Sequence, residues 1–145
     1  MEMQLCEVKV VRRGDLAAID RLPVMPTVCL VAFQSPAASP ELDLLAKACL
    51  AIGTELFAMY GPHADALEDE LDFVLEQGDP ARLEIPTTSH RCDPPRDVAQ
   101  FAVHAAHPAK DRFRCLLILD DELPDGAALI QQLEVESSGG VELVE

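Results

Sequence analysis

The chain reads as one three-layer α/β domain, a mostly parallel sheet with helices on both faces. Three observations predict this. The run 27–33, apolar after Thr27, and the apolar run 115–119 are too short for helices and too continuous for half-exposed strands, so they read as strands covered on both faces. The segments between extended runs carry apolar residues at helical spacing. The two kinds alternate four times over short connections, and 145 residues suit a single domain.

Residues 5–12, LCEVKVVR, are β-branched and partly alternating, and predict a strand or extended arm. Arg12-Arg13-Gly14-Asp15 turns the chain. Residues 15–22 are ambiguous between an irregular segment and one helical turn, and Pro23 and Pro26 forbid regular helix after them. Strand 27–33 follows and ends at Gln34-Ser35-Pro36. Ser39 suits an N-cap with Pro40 at the first helical position. Leu42, Leu45, Ala46, Cys49 and Leu50 then form a helical stripe, and Gly53 suits the left-handed stop behind it.

Strand 54–60 ends at Gly61-Pro62-His63. The helix 64–77 places Leu67, Leu71, Val74 and Leu75 on one stripe and Asp65, Glu68, Asp69, Asp72 and Glu76 away from it. Residues 82–88 predict a weaker strand, at an edge because of Pro86, and 87–92 a polar loop. Asp93 and Pro94 start a further helix with Val98, Phe101, Ala102 and Ala105 inward and Pro108 beyond its end. His104 and His107 near that end read as structural, favoured by the helix dipole. Strand 113–119 precedes Asp120 and Asp121. A last helix starts at Pro124-Asp125 and stops at Ser137-Ser138-Gly139-Gly140, and 141–144 supply a short edge strand. No repeat, low-complexity tract or linker interrupts the chain.

The two most apolar strands belong side by side in the centre, which gives the order 83–88, 54–60, 27–33, 113–119 in a Rossmann-like sheet. The winding then reverses between 27–33 and 113–119. Open α/β sheets hold their ligands at such a reversal, outside the carboxyl ends of the strands. That rim collects the candidate ligand-binding residues Gln34, Ser35, Tyr60, His63, Thr87, Thr88, His90, Asp120 and Asp121. Asp120 and Asp121 suit a hard cation, or simply a polar turn. His63, His90 and Cys92 are weak metal candidates, because their spacing matches no zinc signature. Ser35 lacks the context of a nucleophile elbow.

The net charge of −15, from 11 basic and 26 acidic residues, repels phosphate backbones and anionic membranes, so neither nucleic acid nor a membrane surface is an expected partner. A basic protein partner is electrostatically favoured. Cys6, Cys29, Cys49, Cys92 and Cys115 are odd in number and form no C-x-x-C, as expected of reduced thiols in a cytoplasmic protein. The first residues lack a signal-peptide pattern, and no apolar run approaches a membrane span. No glycine occurs between residues 15 and 52, and neither G-x-G-x-x-G nor G-x-x-x-x-G-K is present, so no cofactor is assigned.

Tyr60-Gly61-Pro62 after a strand and Thr87-Thr88-Ser89-His90 resemble an aromatic-Gly-Pro turn and a T-T-W-H loop. Both are similar to motifs in a family of small uncharacterised bacterial α/β proteins, over residues 27–121. Ser89 stands where that family has tryptophan, and Tyr60 replaces another. The resemblance implies a bacterial cytosolic α/β domain and supplies no activity. Two readings stand, and no motif decides whether the protein is an enzyme. The first is an acidic, non-enzymatic interaction module of the inhibitor or immunity kind. The second is a small-molecule or metal-binding domain, or a hydrolase, with its site on the carboxyl rim. Charge and missing catalytic signatures favour the first.

Overall fold

A computed structural model describes residues 5–106, 112–137 and 140–145. Its six strands are β1 (Leu5–Arg12), β2 (Thr27–Ala32), β3 (Thr54–Tyr60), β4 (Thr87–His90), β5 (Arg112–Leu119) and β6 (Val141–Leu143). They form one sheet in the order β4-β3-β2-β5-β1-β6, every pair parallel. The expected neighbours β2 and β5 pair from Thr27↔Arg114 to Ala32↔Leu119. Both terminal segments join the sheet, β1 as an inner strand and β6 as an edge.

The helices are α1 (Ser39–Ala51), α2 (Ala64–Glu76), α3 (Pro95–Gln100) and α4 (Gly126–Glu136). Alternate residues of each inner strand point to opposite faces, so two cores form. Cys29, Val31, Phe33, Leu116 and Ile118 pack with α1, α2 and a 3-10 segment at Arg13–Arg21. Val28, Leu30, Ala32, Cys115 and Leu117 pack with α3 and α4. Helices on one face carry the chain outward from β2 to β4, and those on the other carry it back, which sets the reversal between β2 and β5.

Several local expectations shift. The strand predicted at 83–88 begins only at Thr87, because Asp79 accepts the Ala81 N–H at 2.9 Å and starts a 3-10 turn over Pro80–Glu84. Pro86 has no N–H, and its carbonyl accepts from Phe57 N at 3.1 Å. The expected polar loop is therefore strand β4, up to His90. Ser39 does not cap α1; its hydroxyl donates to Glu70 at 3.1 Å, and Ala38 holds the cap position. Asp93 does not cap α3, since His90 engages it and Pro94 precedes the helix. After Gln100 the chain loosens into a π-helical turn, Phe101–Ala105, and His104 there lies 2.7 Å from Glu136 of α4. His107, Pro108, Ser138 and Gly139 lie outside the described residues.

Arg114 is the one fully buried cation among the described residues, at 0% exposure. It sits where β5 begins, and its fork donates to Thr27 Oγ1 (3.1 Å), Pro23 O (2.9 Å) and Ile52 O (3.0 Å). It thus ties three connections together at the end of the sheet opposite the rim. Burial lowers its pKa, partly offset by the field of Glu7, its neighbour in register on β1.

Candidate functional site

The ends of β2 and β5 bring Gln34, Ser35 and Asp120 together, as expected. Asp120 N donates to Ala32 O at 3.0 Å, which seats the carboxylate beside the turn that follows β2. Its Oδ2 accepts from Gln34 N at 3.0 Å and its Oδ1 from Glu122 N at 3.1 Å. The crevice beside it is nevertheless filled. Arg13, leaving β1, inserts its guanidinium and donates to Asp120 Oδ2 (3.0 Å), Ser35 Oγ (2.8 Å), Ser35 O (3.1 Å) and Pro36 O (2.9 Å). A two-pronged contact to Glu41 at 2.7 and 2.9 Å completes the fork, and the group stacks 4.0 Å over the Phe33 ring. Where many α/β sheets receive a ligand anion, this chain holds its own cation between two carboxylates.

Burial raises the Asp120 carboxyl. The N–H groups of Glu122 and Gln34, Arg13 and the Ser35 backbone outweigh it and hold the group below its ordinary value. Arg13 shifts upward, chiefly through its hydrogen bond to Glu41. Asp121 departs from the expected site. It points away from Asp120, exposed, with Arg12 at 3.8 Å.

The open space lies next to this plug, on the α3/α4 side. A cleft of about 560 Å³ is bounded by the turn at Gln34, by Tyr60-Gly61-Pro62, by residues 91–95 and by residues 123–125. Its size falls within the range of small-molecule sites. Gly61 (φ 125°) lets this wall of the cleft lie close against the end of β2, because a Cβ there would overlap the Phe33 carbonyl. Tyr60, almost fully buried, donates its hydroxyl to Asp125 Oδ2 at 3.3 Å. Desolvation, then Asp125, then the field of Asp93 push its pKa up to about 12.

The Thr87–His90 segment divides between the faces. Thr87 points to α2 and donates to Asp72 (2.7 Å) and Glu68 (3.1 Å), and Ser89 bonds Asp65, so neither reaches the cleft. Thr88 and His90 point to the α3 face. His90 Nε2 lies 2.9 Å from Thr88 Oγ1, its Nδ1 2.9 Å from Asp93 Oδ2, and its ring rests on Phe101. A carboxylate only accepts, so a neutral His90 carries its proton on Nδ1 and accepts from Thr88. The chain hydroxyl–imidazole–carboxylate has the connectivity of a nucleophile relay. Only Asp93 of the three lines the cleft, however, so the arrangement acts as a brace for the 91–95 wall.

Both His90 nitrogens are engaged, and His63 stands exposed just before α2, outside the cleft lining. Cys92 lines the cleft as an exposed thiol, while Cys6, Cys29, Cys49 and Cys115 are buried. Among the described residues no group of three or more His, Cys, Asp or Glu is placed to hold a metal ion. Burial raises the thiols of Cys6, Cys29 and Cys115. Arg13, Asp93 and Asp125 are the site residues that sequence reading passed over. Each lies in a segment that reads from sequence as a turn or a helix start.

Residues 9–133 match the family model of a domain of unknown function, DUF7684. The chain belongs to the DUF7684 family. The match covers β1 to α4, hence the Arg13 plug and every wall of the cleft. No curated protein and no solved structure shows significant similarity to the chain. Among the described residues of this DUF7684 domain, no helix is long and apolar enough to cross a membrane.

Proposed function

We propose that the domain binds a small organic molecule in the rim cleft. Position carries this reading: the cleft, of about 560 Å³, opens at the carboxyl ends of β2 and β3, beside the reversal of winding. Gln34 and Tyr60, both singled out from the sequence, line it. The reading assigns recognition and no reaction. Protein-observed NMR against a metabolite panel tests it. Amide shifts confined to residues 60–61, 91–93, 123 and 125–126 are expected for a bound compound. A broad panel that perturbs none of these positions would sink the reading.

A second reading, docking of a basic protein partner, is favoured by α2. The helix has six acidic residues and no basic one, and Phe73 stands 52% exposed on its outer face beside exposed Asp69 and Glu76. An aromatic anchor within a like-charged surface suits a partner of opposite charge. Retention of a partner at low salt, its loss at high salt, and its loss on Phe73→Ser are expected. Retention that ignores both salt and Phe73 would remove the support for docking on α2.

A further inference from the structure

We infer that the rim cleft takes an organic ammonium ion, an inference that rests on the small-molecule reading above and names the ligand class. Two carboxylates, Asp93 and Asp125, line the cleft, and both act on the Tyr60 hydroxyl between them. Asp125 accepts from Tyr60 through Oδ2, and Asp93 from His90 through Oδ2. Among the described residues Arg91 is the only basic side chain in the lining, and its Nε lies 3.6 Å from Asp65 of α2. Two carboxylates thus line one space, and no lysine or arginine among the described residues pairs with either.

The rest of the lining narrows the ligand further. Pro62, Pro94, Pro95, Leu123 and Pro124 give walls without hydrogen-bond donors, suited to an aliphatic or cyclic body. Gln34 adds an amide, whose oxygen accepts. A bare divalent ion fits poorly, because hard cations collect six or more oxygen ligands and no third acidic or imidazole group joins the pair among the described residues. A phosphate or carboxylate ligand meets two carboxylates and the field of a chain with net charge −15. A protonated primary amine meets acceptors at its head and apolar surface along its body.

The test uses the full chain, ¹⁵N-labelled, at pH 7, with three probes of one shape: cyclohexylammonium, cyclohexanol and cyclohexanecarboxylate. Cyclohexylammonium is expected to shift the amides of residues 60–61, 91–93, 123 and 125–126 and to bind about tenfold or more tightly than the alcohol, as charge-assisted hydrogen bonds require. Asp125→Asn and Asp93→Asn are each expected to weaken it about tenfold, and Glu134→Gln to leave it unchanged. Tyr60→Phe, which keeps both carboxylates, is expected to retain most of the binding, so one poorly folded variant cannot decide the outcome. Equal or tighter binding of the alcohol or the carboxylate in the cleft overturns the ammonium inference and leaves the small-molecule reading standing. Shifts spread over the acidic surface and indifferent to Asp93 and Asp125 overturn it as counterion accumulation. No binding in the cleft by these probes or by the metabolite panel overturns both.

Discussion

Arg13 and Asp120 meet across the reversal point of the sheet, with Nη1 3.0 Å from Oδ2 and both side chains largely buried. The contact joins the end of β1 to the end of β5 and, through Gln34 N and Ser35, to the end of β2. It is therefore a clasp on three strands as well as a plug. Arg13→Ala leaves Asp120 and Glu41 facing each other around a void. The expected loss is about 3 kcal/mol, the lower end for breaking a buried pair by removing one partner. Urea unfolding at pH 7 measures it. Arg13→Lys should recover only part of the loss, because an ammonium cannot span Glu41 and Asp120 with a planar fork. A lysine variant as stable as the parent would show that charge alone matters.

Asp120 should shape the acid limb of the stability curve. Its folded pKa lies below the ordinary value of 3.8, so its contribution is complete at neutral pH. That contribution is lost as the pH falls below 3.8 and through the depressed folded value. Asp120→Asn should lower stability at pH 7 and flatten the slope in that window. Denaturant midpoints at a series of acidic pH values give the comparison, and parallel curves for the two proteins would contradict it.

Tyr60 is the single tyrosine, and the chain has no tryptophan, so phenolate absorbance near 295 nm reports this one side chain. Its midpoint should lie near 12 in place of 10. The folded value is the raised one, so stability is intact below pH 10 and declines from pH 10 to pH 12. Asp125→Asn should move the absorbance midpoint down toward 10, since Asp125 supplies both a field and a hydrogen bond. An unmoved midpoint in that variant would separate Tyr60 from Asp125.

Arg114 tests how a buried cation with no ion pair among the described residues is tolerated. Arg114→Met removes the desolvation cost but takes one bond each from Thr27 Oγ1, Pro23 O and Ile52 O, of which the Thr27 hydroxyl keeps Met25 O and Ile52 O keeps Met25 N. A loss of roughly 1–3 kcal/mol is expected from the abandoned acceptors. Arg114→Ala adds a cavity and should fall in the range of roughly 2–5 kcal/mol for large-to-small core changes. The order Met above Ala in thermal unfolding is the decisive result, and its reversal would mean that the site collapses around alanine.

Much of the sheet was legible because burial on both faces leaves a plain mark. The runs 27–33 and 115–119 admit one arrangement, and they lie side by side as that arrangement demands. Hydrophobic pattern does not mark contacts made by long polar side chains across distant segments. Arg13 and Asp120 are 107 residues apart, and nothing local distinguishes this arginine from Arg12 beside it, which is exposed. Arg114 was hidden differently, since a charge next to an apolar run ordinarily marks a strand end. Thr87–His90 looks polar enough for a loop, yet it forms a strand in which the Thr87 and Ser89 hydroxyls find carboxylates on α2. The rim residues gathered as the topology required, but the side chain filling the crevice came from the one connection that carried no helical pattern.

The place of β1 has a consequence for synthesis. This strand lies between β5 and β6, both of which are synthesised after β2, β3 and β4. The sector β2-β3-β4 with α1 and α2 can assemble while β1 still waits as an unpaired ribbon. Emergence of β5 and β6 is then the event that completes the sheet around β1.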